Sequence, residues 1–414
     1  MKLPEYLYNG IIHLGLPVAA AGTYLAFLDR NPYQQTLTKF STPSSDVLRG
    51  PCNIWFHGAS VGEAGLINQL IAMAQDIGVQ TDRIVVSTQT ESGLESVDHN
   101  RKFQLPADYP ALVGPVSDEL DADCLAVVET EIWPNLYRLN SGKVILLNAR
   151  ISDDTYRYYR WLSPLLNVTL NHTQSVYARS DRDYDRFLEL GVDSKKLGTA
   201  GDLKWTRALD PPEEQVEVPW HGEDRRVLTV ASTHPGEEKM VLDAVDHETF
   251  AVNLAPRHLS RLDEVEDLLN SMGLNWEYWS NLPLAQGRSL DVLLVDEFGL
   301  LEGLYRGSDL AIIGGSWRTS GGHNLLEAAQ YGVPVITGPR IDNFREMAEL
   351  LEGTGLLEVV SEKELDRAIQ NQTTALSNKK LRSKTDTLRS AIKPVHTRYI
   401  DALKQTLEWS VPRE

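Results

Sequence analysis

The chain has 414 residues, with 40 Lys and Arg against 58 Asp and Glu, and so a formal net charge of −18. This acidity argues against nucleic acid as a partner, because phosphate contacts need Lys and Arg, and against adhesion to anionic lipid through a basic face. Two cysteines are too few for a disulfide framework or a cysteine-built zinc site. The length predicts two or three domains with sizeable cores.

The first candidate element is an uncharged segment near the amino terminus. From Tyr6 to Leu28 there are 23 residues without Lys, Arg, Asp or Glu. As a helix they would span about 34 Å, enough for a bilayer core of roughly 30 Å. Three interpretations compete: a buried amphipathic helix, a cleaved signal peptide ending near Ala19–Ala21, and a membrane anchor. The residues alone favour the anchor and the buried helix equally.

Alternating strand and helix patterns follow from residue 54. Short apolar strands are predicted at 54–56, 84–87, 125–128 and 144–147, with a helix over 65–75. Short β-rich runs separated by helical stretches indicate βαβ units around a parallel sheet. A stretch rich in Pro and Glu then interrupts the pattern and predicts a linker at 209–219.

The same alternation restarts after the linker. Strands are predicted at 227–230, 250–254, 292–295, 310–313 and 333–336, and a helical tail, interrupted at Pro394, ends the chain. The sequence therefore predicts an α/β fold with two doubly wound domains. Ligands of such sheets bind outside the carboxyl ends of the strands, so we expect the site in the cleft between the two halves.

A glycine-rich segment over residues 314–327 is the strongest local signal of a binding site. It follows a predicted strand and opens a helix. Glycines let the backbone approach a ligand closely, and the first free N–H groups of a helix can hold a phosphate. Glu327, one turn into that helix, is placed to accept hydrogen bonds from a ribose diol. The alternative is an ordinary glycine-rich turn, because neither dinucleotide nor Walker spacing is present.

Acidic residues follow two of the predicted strands in the first half. Glu63 fits a helix capping box with Ser60, and it also lies at the strand end where a carboxylate can act as a general base. Glu129 and Glu131 come directly after the strand at 125–128. They are either structural acids at a helix start or functional carboxylates beside the cleft.

Basic residues and histidines give weaker signals. Arg257 follows a strand and suits a phosphate, which it can clamp with two N–H groups, but a surface salt bridge is an equal interpretation. A lone lysine such as Lys204 is usually solvated. His57, His234 and His323 lack the spacing of metal ligands, so no metal site is predicted.

Taken together, these motifs resemble one family, the bacterial 3-deoxy-D-manno-octulosonic acid (Kdo) transferases of lipopolysaccharide assembly. The match runs from about Tyr6 to Leu356. Each motif is weak alone, but their common order along the chain is specific. In chain order they are His57–Glu63, Glu129–Leu136, Asn148–Ser152, Gly201–Lys204, Ala231–His234, Pro256–His258, Gly314–Ser316, Gly322–Glu327, Gly338–Pro339 and Asn343–Phe344.

The resemblance implies a GT-B fold, in which two Rossmann-like domains face a central cleft, after an N-terminal membrane helix. It implies attachment to the inner membrane by this single anchor, with the catalytic domains facing the cytoplasm. The implied division is an anchor at 1–30, an acceptor domain at 31–208, the linker at 209–219, a CMP-Kdo domain at 220–375 and a helical tail at 376–414.

The resemblance further implies an inverting, metal-independent transfer of Kdo from CMP-Kdo to a lipid A precursor (lipid IVA), with release of CMP and no cofactor. Glu63 would be the general base, and Glu129 and Lys204 would stabilise the transition state. Two rivals remain: a transferase using another CMP-activated sugar or acceptor, and a non-catalytic paralogue that binds nucleotide or lipid. The donor nucleotide would be held by Pro256, Arg257, Phe298, Gly299, Leu300, Asn324, Leu325, Leu326 and Glu327.

Overall fold

The structure is a computed structural model that describes residues 2–13, 39–212, 216, 218, 224–284, 289–318, 321–375 and 378–409. The chain divides into two compact units. The first comprises Met1–Lys204 with Val395–Glu414, and the second comprises Trp205–Pro394. Each unit is built on one seven-stranded sheet, and the neighbouring strands of both sheets pair in parallel.

The first sheet has a single topological switch point. Its strands are β1 Ile54–Gly58, β2 Ile84–Thr88, β3 Lys102–Gln104, β4 Cys124–Val128, β5 Val144–Ala149, β6 Thr173–Ala178 and β7 Leu197–Thr199. Their order is β3-β2-β1-β4-β5-β6-β7, so the switch point lies between β1 and β4. Residues of β1, β2, β4 and β5 are buried throughout, as expected for parallel strands covered on both faces.

Helices cover this sheet and complete a core around Trp55, Tyr137 and Phe187. The helix predicted at 65–75 begins earlier, because a capping box at Ser60 starts it at Val61. The α-helices of this unit are residues 3–13, Ser45–Leu48, Val61–Asp76, Glu91–Glu95, Pro110–Leu120, Pro134–Leu139, Asp153–Trp161, Ser163–Leu170 and Asp181–Glu189. Thr81–Arg83 and Ser194–Lys196 are 3₁₀ turns.

The second sheet repeats the doubly wound pattern. Its strands are β8 Arg226–Thr233, β9 Phe250–Pro256, β10 Trp276–Tyr278, β11 Val292–Leu294, β12 Leu310–Ile313, β13 Val335–Thr337 and β14 Leu357–Val359. Their order is β10-β11-β9-β8-β12-β13-β14, so the switch point lies between β8 and β12. The two doubly wound, Rossmann-like units predicted from the sequence are thus confirmed.

Short helices connect the strands of the second unit. Its α-helices are Glu237–Ala244, Leu262–Met272, Leu301–Arg306, Leu326–Ala329, Arg345–Thr354 and Leu365–Ala375. The 3₁₀ segments are Leu203–Leu209, which contains the boundary between the units, Leu259–Arg261, Trp279–Leu284, Asp342–Phe344 and Glu362–Glu364.

The final helix, Asn378–Trp409, differs from the predicted interrupted tail. It continues through Pro394, and the boundary between the units falls directly after that proline. Leu388 and Ile392 pack in the core of the second unit. Tyr399 is buried in the first unit, where its hydroxyl donates to the carbonyl of Gly201 at 2.8 Å. The two halves of the helix therefore belong to different units instead of forming a separate tail at 376–414.

Two other sequence predictions fall partly outside the described residues. Of the segment Tyr6–Leu28, the structure describes only the part up to residue 13, and within the linker at 209–219 residues 213–215, 217 and 219 are not described. Within the ranges that are described, no helix combines the length and the apolar character that crossing a bilayer requires.

Candidate active site

In the first unit, Glu63 lies at the switch point of the sheet. The helix Val61–Asp76 begins just after β1, and Glu63 caps it by accepting the N–H of Ser60 at 2.8 Å and also the Ser60 hydroxyl. Gly58 permits this close approach, since a Cβ there would lie 2.8 Å from the Cβ of Glu63. Both hydrogen bonds end on Oε2, and no described residue bonds to Oε1. The predicted cap is therefore present, and it leaves one carboxylate oxygen available.

Glu129 and Lys204 meet at the end of the neighbouring strand. Glu129 follows β4 with a left-handed backbone, φ 61°, and its Oε1 lies 3.3 Å from Lys204 Nζ. Lys204 is oriented by its own loop, since its N–H donates to Asp202 Oδ1 at 3.0 Å. The N–H of Leu203 donates to Asn148 Oδ1, also at 3.0 Å. The sequence context alone suggested that Lys204 is solvated. In the structure it forms an ion pair with Glu129.

Glu131 adds a third carboxylate to this edge. Burial, together with the negative charges of Glu63 and Glu129, raises the pKa of Glu131 to about 6, although the indole N–H of Trp133 donates to it at 3.0 Å and opposes the rise. Because the charges of Glu63 and Glu129 both act on Glu131, the three carboxylates lie near one another. The sequence drew attention to Glu131 but gave it no role.

In the second unit, a buried carboxylate organises the glycine-rich loop after β12. Glu237 Oε2 accepts N–H groups from His234 at 3.0 Å and Gly315 at 2.7 Å. Its Oε1 accepts those of Ser316, Trp317 and Arg318 at 3.0–3.3 Å. Burial alone would raise the pKa of Glu237, yet these backbone hydrogen bonds hold it below its usual range. The loop thus forms an anion-binding nest that the protein fills with its own carboxylate.

This arrangement changes the role expected for the glycine-rich segment. The N–H groups of residues 315–318 are already used by Glu237, so they are not available to a phosphate while that carboxylate is in place. The helix that follows is short, Leu326–Ala329, and begins later in the segment than predicted. These four N–H groups are therefore not the donors that the sequence pattern suggested for a phosphate.

The residues predicted to hold a nucleotide lie at or beyond strand ends in this unit. Pro256 is the buried last residue of β9, and Arg257 follows it with an exposed side chain. Glu327 Oε1 accepts from Asn324 Nδ2 at 3.0 Å. Burial raises the pKa of Glu327, while the Asn324 hydrogen bond and the positive charge of Arg257 lower it and the negative charge of Glu302 raises it further.

The remaining predicted donor residues, Phe298–Leu300, form the segment that leads from β11 to the helix Leu301–Arg306. The side chain of Phe298 is 77% exposed, and Gly299 has a φ of 87°, which favours glycine. Leu325 and Leu326 are buried and pack into the core. Their side chains are therefore not available to a ligand, and the N–H of Leu326 already donates to Asn324 Oδ1 at 3.2 Å.

Sequence reasoning missed Glu237 and a cluster formed by His234, His258 and His323. The rings of His234 and His323 stack at 5.4 Å, and His258 lies edge-on to His234 at 5.8 Å. Each histidine lies within two residues of a strand end or a pair of glycines. That shared position was the signal in the sequence from which the cluster could have been predicted. In the described part of the chain, no three His, Cys, Asp or Glu side chains are arranged to hold a metal ion.

Comparison with known proteins gives consistent matches. A family model described as 3-Deoxy-D-manno-octulosonic-acid transferase (kdotransferase) matches residues 30–207. A 3-deoxy-D-manno-octulosonic acid transferase from Chlamydophila psittaci is 31% identical over 321 residues, which are 73% of this chain and 72% of that protein.

Two further matches are weaker, one because this chain covers only about half of the relative and the other because the sequence identity is low. A bifunctional glycosyltransferase/methyltransferase from Fusobacterium nucleatum subsp. nucleatum is 31% identical over 333 residues, 77% of this chain but 52% of that protein, so the chain spans about half the length of that relative. A solved glycosyltransferase from Rickettsia africae ESF-5 aligns with 87% of this chain and 99% of its own, with a TM-score of 0.55 and 12% identity, a likeness of fold alone.

The family model covers all strands of the first sheet, and the identity to the Chlamydophila psittaci protein extends over most of the chain. These matches confirm the resemblance drawn from the motifs. The chain belongs to the 3-deoxy-D-manno-octulosonic acid transferases, a family of glycosyltransferases in lipopolysaccharide biosynthesis.

Proposed function

We propose that this protein transfers Kdo from CMP-Kdo to a lipid A precursor, lipid IVA, and releases CMP. The observation that carries the proposal is the ion pair of Glu129 and Lys204, which are 75 residues apart in sequence. It lies at the end of β4, next to the strand end at which Glu63 sits. A base and a fixed pair of charges beside one switch point suit a displacement at a sugar carbon.

The proposed step is a single inverting displacement. An acceptor hydroxyl gives its proton to Glu63 as its oxygen forms a bond to the anomeric carbon of Kdo. The bond from that carbon to the phosphate oxygen breaks, and its electron pair leaves with CMP. Glu63 Oε1 is the atom suited to receive the proton, because the helix cap uses Oε2. Lys204, held by Glu129, would stabilise negative charge in the transition state.

The second unit would hold the donor in a GT-B arrangement. Arg257 provides the fixed positive charge that a departing phosphate needs, and Glu327 provides a carboxylate for the ribose diol. Pro256, Phe298–Leu300 and Asn324–Leu326 would complete the nucleotide site. This chemistry assigns no role to a metal or cofactor, since Arg257 and Lys204 supply the positive charge.

The amino-terminal helix supports a proposal of membrane attachment. Over residues 3–13, its polar side chains contact the first unit. Glu5 pairs with His172 at 2.9 Å, the Tyr8 hydroxyl donates to Asp108 at 2.9 Å, and Asn135 donates to Asn9 at 2.8 Å. A helix that turns its polar face towards the protein presents its other face outward.

That outward face is apolar. Leu3, Tyr6, Leu7 and Ile11 are 60–71% exposed, and their spacing puts them on one side of the helix. In the sequence, the uncharged stretch continues from here to Leu28. We propose that this segment attaches the protein to the inner membrane, with both catalytic units on the cytoplasmic side.

A transfer assay tests the proposed function. Purified protein is incubated with CMP-Kdo and tetra-acylated lipid A precursor, and the lipid products are weighed by mass spectrometry. We expect the acceptor to gain the mass of one or more Kdo residues. A parallel reaction with a different CMP-activated ulosonic acid tests the first rival. CMP binding without any lipid product would support the non-catalytic alternative and contradict the proposal.

A further inference from the structure

Three histidines from separate loops meet at the carboxyl edge of the second sheet, and the mechanism above uses none of them. His234 follows β8, His258 follows β9, and His323 lies in the glycine-rich segment after β12. His234 and His323 stack with their ring planes 14° apart, while His258 is nearly perpendicular to His234. Their loops flank the switch point, where ligands of doubly wound sheets bind.

The stacked pair is joined by a hydrogen bond. Nε2 of His234 lies 3.1 Å from Nε2 of His323, so one ring donates and the other accepts. In its neutral form, the accepting ring carries its own proton on Nδ1. No described residue forms a hydrogen bond with either Nδ1 atom. The pair therefore keeps an N–H group that it can offer to a ligand.

The surrounding loop fixes the pair in place. Gly315 has a φ of 72°, and a Cβ there would lie 2.6 Å from the ring of His323 and 3.3 Å from that of His234. The backbone N–H of His234 also donates to the buried Glu237. Only glycine lets the loop rest against both rings, so the imidazoles are positioned before any ligand arrives.

The electrostatic environment of the pair is suited to an anion. Burial, followed by the charges of Arg257 and His234, lowers the pKa of His323 to about 4, with a smaller contribution from His258, while Glu237 acts in the opposite direction. Glu237 is already satisfied by five backbone N–H groups. Arg257 and His258 are exposed, so an anion can reach the cluster from solvent.

We propose that His234, His258 and His323, together with Arg257, bind an anionic group of the donor sugar nucleotide. CMP-Kdo carries two such groups, the phosphate and the carboxylate of the sugar acid, and both are oxyanions that imidazole N–H and guanidinium groups recognise. The inference rests on the proposed function and deepens it. It also explains why the loop N–H groups can donate to Glu237, because these side chains would bind the anion instead.

Single substitutions with two readouts test this inference. His234→Ala, His258→Ala and His323→Ala are each prepared in the full chain, and His258 is exposed, so that variant should fold normally. His247→Ala is the matched control, because His247 precedes β9 and lies at the opposite, amino edge of the same sheet. Calorimetry gives the Kd of CMP, the transfer assay gives KM for CMP-Kdo and kcat, and thermal unfolding verifies folding.

We expect the cluster variants to weaken donor binding by about tenfold or more, the loss that follows removal of a hydrogen bond to a charged group, and the control to remain within twofold. If the cluster holds the phosphate, both the Kd of CMP and the KM for CMP-Kdo rise. If it holds the carboxylate, only the KM for CMP-Kdo rises.

Folded variants with both constants within twofold of the wild type would overturn the inference while leaving the proposed function intact. A wild-type protein that neither binds CMP nor transfers Kdo would instead overturn the proposed function, and this inference with it.

Discussion

Glu327 provides the most direct test of the donor site at the level of a single residue. Its half-buried carboxylate is oriented by Asn324, and loss of a charged acceptor for a ribose diol should cost affinity. We expect Glu327→Ala to raise the Kd of CMP about tenfold in calorimetry. Glu349→Ala, an exposed glutamate in the helix Arg345–Thr354, should have no effect. An unchanged Kd for Glu327→Ala would mean that the donor lies elsewhere.

Glu131 provides a pH-dependent test of the carboxylate cluster. Its pKa is raised to about 6 from 4.5, so the native state binds this proton more tightly than the unfolded state does. The protein therefore loses stability as the pH rises from 4.5 through 6. Glu131→Gln mimics the protonated acid. We expect this substitution to stabilise the protein at pH 8 by about 1–2 kcal/mol. In denaturant unfolding, the gain should shrink as the pH falls towards 4.5, and a constant gain would contradict the assignment.

Sequence reasoning reached individual residues with uneven success. The cap formed by Glu63 could be predicted because Ser60 and Glu63 are three residues apart. The pairing of Glu129 with Lys204 could not be read from spacing, since 75 residues separate them and only the fold brings the two side chains together. Without the family resemblance, the sequence would have predicted only that Lys204 is solvated.

At the scale of elements, the sequence predicted the inner strands better than the outer ones. The nine predicted strands correspond to β1, β2, β4, β5, β8, β9, β11, β12 and β13. The strands not predicted, among them β3, β7, β10 and β14, include both edges of each sheet. Edge strands are short and half exposed, so they lack the continuous apolar run that marks a buried parallel strand.

The glycine-rich loop shows why its function could not be read from its own sequence. Glycines ahead of a helix suggested N–H groups free for phosphate. In the structure, Glu237, which is 78 residues before Gly315, takes those groups. A long-range contact of this kind has no local signature, so the segment was predicted as a binding loop although its backbone serves mainly to hold Glu237.

Gly314 tests how tightly this loop is packed. A Cβ there would lie 2.6 Å from Glu237 Oε2 and 2.7 Å from the Cα of Thr233, with no room to relax. We expect Gly314→Ala to destabilise the second unit by about 2–3 kcal/mol in thermal or denaturant unfolding. Gly353→Ala has open space within a helix and should instead be neutral or stabilising by up to about 1 kcal/mol. Equal effects of the two substitutions would show that the loop is not closely packed.

For the whole molecule, the sequence predicted two similar halves but not how the chain is shared between them. Apolar periodicity reports local structure, whereas the return of Val395–Glu414 to the first unit depends on long-range contacts such as that of Tyr399 with Gly201. Pro394 suggested an interruption, and the helix nevertheless continues through it. Composition alone likewise left membrane attachment open.

The exposed face of the amino-terminal helix gives a test of membrane attachment. We expect deletion of residues 1–30 to release the protein from membranes. The triple variant Leu3→Ser, Leu7→Ser, Ile11→Ser should reduce binding to lipid vesicles in sedimentation while the Kd of CMP stays unchanged, because it removes apolar area and retains the polar contacts of Glu5 and Asn9.

Leu188→Ser is the matched control for this variant, since Leu188 is another exposed leucine of the first unit. It should leave vesicle binding intact. Full membrane attachment of the protein lacking residues 1–30 would show that another surface is responsible.

The most direct measurement compares transfer rates for the wild type, Glu63→Gln and Glu364→Gln with CMP-Kdo and the lipid A precursor. Glutamine retains an oxygen that can accept the N–H of Ser60, so the helix cap survives while the base is lost. Glu364→Gln changes a second capping box, formed with Ser361 in the second unit, and serves as the matched control.

We expect Glu63→Gln to lower the rate about 100-fold or more, the usual contribution of a general base, with the Kd of CMP unchanged. The control should transfer Kdo at the wild-type rate. A folded Glu63→Gln protein that transfers Kdo as fast as the wild type would contradict the assignment of Glu63 as the base.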